Sequence, residues 1–223
     1  AVVGHLDDPR HLGAVAVGAL IVTALFWLFG FLRMTTTGLA AQAVGANDAD
    51  EVRAVLLRAL VLALGLGAVL VVLQRPLSWI TLELMQPSPE VRQLASDYFL
   101  IRVWSAPAVL AGYALVGWFL GIQRPAAGLA VSLFMNGLNI VLDLWFVMGL
   151  GWGVAGVAWA SLIAEVSALA LWLWLLRRQL PRLGGRWQLG ALRDSELGRM
   201  IRVNGDIFVR TLSLTGAIYA FTS

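Results

Sequence analysis

The chain has no cysteine, two histidines, and only 13% charged residues in a length of 223. Without cysteine it has no disulfide framework, no thiol chemistry and no Cys-based metal site. His5 and His11 lie close together near the start and are too few to hold a metal by themselves. A charged share of 13% compares with roughly 25% in an average soluble domain. That leaves too little polar surface to cover a water-soluble body. The apolar content is equally incompatible with a disordered chain. Lysine is absent too, so every cation is an arginine, and the formal charge of +3 gives no nucleic-acid footprint.

What the sequence does have is apolar residues. They make up 60% of the chain, and the mean hydropathy is +0.82. This is the composition of a polytopic membrane protein. The chain opens at Ala1 and closes at Ser223 within an apolar run, with no charged region followed by a cleavage site. We therefore expect a piece of a longer membrane protein without a signal peptide.

A membrane helix needs about 20 mostly apolar residues. Residues 12–32 are uncharged. Residues 59–74 form a short run that borrows neighbours on both sides. Residues 103–123 are uncharged, and their helix is expected to begin nearer Arg92. Residues 125–148 carry only Asp143, and residues 154–176 carry only Glu165. The Gly-Leu-Gly-Trp-Gly at 149–153 reads as a tight turn between them. A last run begins near residue 203. The expectation is five full spans and a partial sixth, with residues 1–4 as the tail of an earlier one.

Arginine near span ends favours the cytoplasm. The connections after spans one, three and five hold Arg53, Arg58, Arg124, Arg177, Arg178, Arg182, Arg186, Arg193, Arg199 and Arg202, against Arg10, Arg75 and Arg92 on the other side. The first set is therefore expected inside. Residues 177–202 read as a cytoplasmic linker, with an amphipathic helix over 189–201 lying on the membrane surface.

The fourth span carries the chemistry. Ser132, Asn136, Asn139 and Asp143 are spaced 4, 3 and 4 apart, so they share one helical face. Lipid satisfies neither amide nor carboxylate, so this face must look into the bundle or a wet cavity. The fifth span repeats the theme with Ser161 and Glu165, and the third with Tyr98, Arg102 and Ser105. Depth counting puts Arg102, Asp143 and Glu165 near one layer of the outer half. Two carboxylates facing one cation are not all comfortably charged in low dielectric, a condition that proton-coupled transport can exploit. Arg102 has two readings here: a structural partner of Asp143 or Glu165, or part of the coupling machinery. The threonines at 35–37 read as helix-end back-bonding.

Several blocks also resemble one family. They are Ala1-Val-Val-Gly-His-Leu, Leu12-Gly-Ala-Val-Ala-Val-Gly, Thr36-Thr-Gly-Leu-Ala-Ala-Gln-Ala-Val-Gly, Ser105-Ala-Pro, Gly117-Trp-Phe-Leu-Gly-Ile-Gln and Asn136-Gly-Leu-Asn-Ile-Val-Leu-Asp. In order and spacing they resemble the multidrug and toxic compound extrusion (MATE) family, in its DinF-like branch. The resemblance implies an all-α, polytopic membrane helix bundle: one six-helix lobe of a two-lobe, pseudo-symmetric transporter. It makes residues 1–176 the amino-terminal lobe, from the end of helix 1 to helix 6. Residues 177–202 become the inter-lobe loop and 203–223 the start of helix 7. Asn139 and Asp143 match the family's helix 5 pair, and Ser161 falls at its helix 6 hydroxyl. The family's helix 1 Asp falls upstream of Ala1.

The expected function is a secondary antiporter of the cell inner membrane. It exports organic cations or amphipathic compounds in exchange for protons or sodium, without a cofactor, and is monomeric as the full-length protein. The expected cation or substrate site is Asn136, Asn139, Asp143, Ser161 and Glu165, with Arg102 as a structural or coupling pair. The alternatives are a lipid-linked precursor flippase, which calls for a more cationic lumen, and a non-transporting membrane scaffold. An intramembrane enzyme would need a nucleophile or metal cluster, and none stands out in the sequence.

Overall fold

The computed structural model describes residues 9–187, 189–192, 198, 200–202, 204 and 205. Eight α-helices account for most of them: α1 (Pro9–Trp27), α2 (Phe31–Gly45), α3 (Ala49–Val72), α4 (Gln74–Met85), α5 (Pro89–Arg102), α6 (Ala106–Gly121), α7 (Pro125–Asp143) and α8 (Gly153–Leu183). No strand occurs among the described residues. Five stretches are long and apolar enough to cross a membrane: Arg10–Gly45, Ala49–Val72, Pro89–Gly121, Pro125–Gly149 and Gly153–Leu183. The protein is an all-α, polytopic membrane helix bundle. The run expected from residue 203 lies almost wholly outside the described residues, as do residues 1–8.

The first span is longer than its apolar run. α1 passes into α2 through residues 28–30, where Phe29, Gly30, Leu32 and Arg33 donate their amides to carbonyls three residues back at 2.9–3.2 Å. Those tightened bonds keep the backbone satisfied through the bend. The helix then continues to Gly45 over residues too polar to read as a span. Thr37 Oγ1 does donate to the Arg33 carbonyl at 2.8 Å, the expected back-bond. The Thr35 and Thr36 hydroxyls instead are buried without a partner among the described residues.

The third span is likewise two helices. Pro107 has no amide to give residue 103, so the chain tightens into a 3-10 turn over Val103–Ser105 before α6 begins. α7 ends at Asp143 and runs into a π turn over Leu144–Gly149. Residues 150–152 then reverse the chain into α8, so α7 and α8 form an antiparallel hairpin. α4 has no counterpart in the expected spans. It is short, and its apolar side chains Trp79, Ile80 and Leu84 are exposed.

α6 sits at the centre, with α2, α3, α7 and α8 packed around it. Glycines set how near its neighbours come. A Cβ at Gly117 would lie 2.4 Å from the Arg33 carbonyl oxygen, and one at Gly67 would lie 2.5 Å from Pro107 Cα. Backbone cannot yield at such contacts, so Gly117→Ala is expected to lower stability by roughly 1–3 kcal/mol. Gly65, in the same kind of helix interior, has open space around it, and Gly65→Ala should be neutral or stabilising by up to about 1 kcal/mol. Thermal unfolding of the two purified variants checks the contrast; equal stability would show that the α2–α6 seam is not closely packed.

Two arginines assigned above to a connection are structural clamps inside α3. Arg53 donates to the carbonyls of Gly184 at 2.6 Å and Leu180 at 2.9 Å. Arg58, 4% exposed, pairs with Glu51 at 2.7 Å and donates to the Ala191 carbonyl at 3.0 Å. The Arg186 amide donates to Asp50 at 2.6 Å. The segment after α8 is thus pinned to the start of α3, and the expected linker opens with residues 177–183 as a helical continuation of α8. Of the helix expected over 189–201, a 3-10 turn occupies Leu189–Leu192, and most of the remainder lies outside the described residues.

Candidate functional site

The polar stripe of α7 meets its neighbours at two levels. Asn139 Nδ2 donates to Ser161 Oγ at 3.2 Å, tying α7 to α8. One turn along α7, Asp143 is half-buried, and its Oδ1 is buried with no hydrogen-bond partner among the described residues. Leu142, Phe146 and Ala160 form a small apolar cluster between α7, the turn that follows it and α8. The widened turn begins immediately after Asp143. An unpartnered buried carboxylate oxygen is costly unless a proton or cation joins it.

Glu165 belongs to the other level. Its carboxylate receives both arms of the Arg102 guanidinium, Nη1 at 2.5 Å and Nη2 at 2.7 Å. Arg102 Nη1 also reaches Ser105 Oγ at 3.2 Å, whose hydroxyl donates to the Arg102 carbonyl at 2.7 Å. The side chains are 9% and 17% exposed. This two-point pairing is the strong form of an ion pair. Tyr98, 4% exposed, sits one turn before Arg102.

The structure corrects the single layer expected for these charges. Asn139 and Ser161 mark a common level on two antiparallel helices. Asp143 lies four residues from that level in one direction and Glu165 four residues in the other. At 1.5 Å per residue the two carboxylates are offset by about 12 Å along the hairpin axis. Arg102 is the partner of Glu165 and not of Asp143. Of the other members of the stripe, Asn136 is exposed, and Ser132 is exposed and lines a cavity.

That cavity has a volume of about 500 Å³ and lies between α1, α2, α5, α6, α7 and α8. Arg102 and Glu165 line it, with Arg33, Tyr113, Trp27 and Trp172. Of the five expected site residues only Glu165 lines this cavity; Asn136, Asn139, Asp143 and Ser161 do not. Arg33 and the aromatic walls were not legible in the sequence, because they converge from different helices and share no spacing. The one available signal was Arg33 itself, directly after an uncharged run. No group of three or more His, Asp or Glu side chains able to hold a metal occurs among the described residues.

Comparison with known proteins decides the family. The MatE family pattern matches residues 1–145, and DNA damage-inducible protein F of Escherichia coli (strain K12) is 42% identical over 100% of the chain. The chain belongs to the MATE family. The match covers 49% of the Escherichia coli protein. The probable multidrug resistance protein NorM of Caulobacter vibrioides is 31% identical over 81% of this chain and 39% of its own length. Among solved structures, an outward-facing multidrug resistance MATE family transporter of the MOP superfamily matches with a TM-score of 0.83 and 24% identity, over 98% of this chain and 48% of that one. A crystal structure of MATE in complex with MaD3S gives 0.81 and 26% over 98% and 49%. The chain thus spans about half the length of its MATE relatives and has the fold of one lobe. The Caulobacter vibrioides relative and the outward-facing structure are multidrug resistance proteins by name.

Proposed function

We propose that this chain is the amino-terminal lobe of an antiporter that exports amphipathic or cationic compounds across the cell inner membrane in exchange for protons or sodium. The observation that carries the proposal is Asp143 Oδ1, buried and unpartnered one turn from the Asn139–Ser161 bond. Arg102 does not neutralise Asp143, so its charge is available to a mobile cation. In this reading a proton arriving from outside joins Asp143 and removes the charge. A sodium ion would instead take oxygen ligands from Asp143, Asn139 and Ser161. Either event changes which lobe arrangement is favoured, and substrate leaves as the lobes rock. Residues 1–176 form the lobe, 177–202 join it to the second lobe, and 203–223 begin that lobe. Arg102 and Glu165 hold the wall of the substrate cavity, and the full-length protein works as a monomer.

The test is transport by the full-length protein in proteoliposomes, with ethidium as the probe and an imposed proton or sodium gradient. One of the two gradients should drive ethidium uphill. Movement independent of both gradients would overturn antiport.

A further inference from the structure

From the charge balance of the 500 Å³ cavity, we infer that it takes amphiphiles carrying an anionic head group, and that Arg33 is the residue that recognises it. The inference rests on the reading of this cavity as the substrate cavity.

Three charged side chains line the space: Arg33, Arg102 and Glu165. Arg102 and Glu165 neutralise each other through their two-point pairing. That leaves the Arg33 guanidinium as the uncompensated charge. No ion pair or side-chain hydrogen bond of Arg33 occurs among the described residues, and the residue is exposed and lines the cavity. A cation in an apolar span calls for an anion or for water. A guanidinium matches carboxylate, sulfonate or phosphate oxygens two at a time.

The remaining walls suit a hydrophobic body. Trp27, Phe26, Trp172 and Met135 supply aromatic and thioether surface, and Ser132 and Tyr113 supply hydroxyls. Gly112 and Gly128 leave room around the Trp172 indole, whose atoms lie 3.9 and 4.0 Å from where their Cβ atoms would be. The position of Arg33 sets the direction of approach. Gly117, against the Arg33 backbone, is one turn from the end of α6, and that end carries Arg124, on the side expected to be cytoplasmic. Arg33 therefore stands at the inner mouth of the cavity with the apolar walls beyond it. An amphiphile entering from that side would lead with its tail and leave its head group on Arg33.

The experiment uses the full-length protein in nanodiscs of neutral lipid. The probes are dansyl-undecanoate and a dansyl-undecyl trimethylammonium of matched length. Binding is read by energy transfer from tryptophan to dansyl. The expected result is at least about tenfold tighter binding of the carboxylate, since one desolvated charge-assisted contact is worth that much or more. Arg33→Gln should erase the preference, and Arg33→Lys should keep most of it. Arg33 makes no side-chain contact that folding depends on among the described residues, so both variants should insert normally; size-exclusion profile and thermal unfolding in detergent, matched to the parent, check this. Equal affinity for the two head groups, or a preference that survives in Arg33→Gln, overturns the inference and makes Arg33 a side chain that merely snorkels to the interface. The binding readout needs no gradient. Loss of gradient-driven export with a retained head-group preference would count against antiport alone.

Discussion

In the full-length protein, Asp143→Asn is expected to abolish uphill export while the amount and thermal stability of the folded protein stay level or rise slightly. Asparagine keeps the shape of the side chain and most of its hydrogen-bonding capacity. It cannot gain or lose a proton, and it brings no charge to a sodium ion. The effect on stability separates two roles. Had Asp143 been the partner of Arg102, its neutralisation would strand a buried cation at a cost of about 3–5 kcal/mol. The geometry gives Arg102 to Glu165 instead, and it leaves Asp143 Oδ1 without a partner among the described residues. Neutralising Asp143 therefore relieves a desolvation penalty and breaks no pair. Efflux in proteoliposomes and thermal unfolding in detergent measure the two quantities. Undiminished gradient-driven export would refute the coupling role, and a large fall in stability would contradict the pairing.

Why the span pattern was legible and the site only partly so follows from what each depends on. A span is a run of apolar side chains along one chain, and such runs read directly from composition. The expected and observed spans agree where the helix and its apolar run coincide, as at Pro125–Gly149. They part where helix continues past the run. The α2 segment is held by close packing on Gly117 and Gly121 of α6, and its threonines, alanines and Gln42 carry no transmembrane signal. Arg53 and Arg58 looked like loop charges because a charge normally ends a span. Here the helix carries them beyond the apolar layer, where they clamp the segment after α8. The polar stripe of α7 was legible because spacing within one helix determines a shared face. The division of charges between two levels was not, because it depends on the register between helices. That register follows from the position of the 150–152 reversal and becomes measurable once Asn139 meets Ser161.

The second large effect should come from Glu165. Glu165→Gln in the full-length protein is expected to lower stability by about 3 kcal/mol, toward the low end of the range for a broken buried pair, because Glu165 retains 17% exposure. The loss arises less from the missing attraction than from the cation left behind. Arg102 is 9% exposed in its side chain, and its remaining contact through Nη1 is the neutral Ser105 hydroxyl. A second change discriminates this cause from simple misfit. Replacing both partners by apolar residues of similar volume, Arg102→Met with Glu165→Leu, removes the stranded charge and should recover most of the stability lost by Glu165→Gln alone. Arg102→Met alone, Glu165→Leu alone and the double variant form a cycle whose interaction energy isolates the pair. Thermal unfolding of all three against the parent supplies it. Additive losses, with no recovery in the double variant, would show that Arg102 and Glu165 act independently. Recovery would show that the pair is a self-contained charge balance in the cavity wall, separate from Asp143, about 12 Å away along the hairpin.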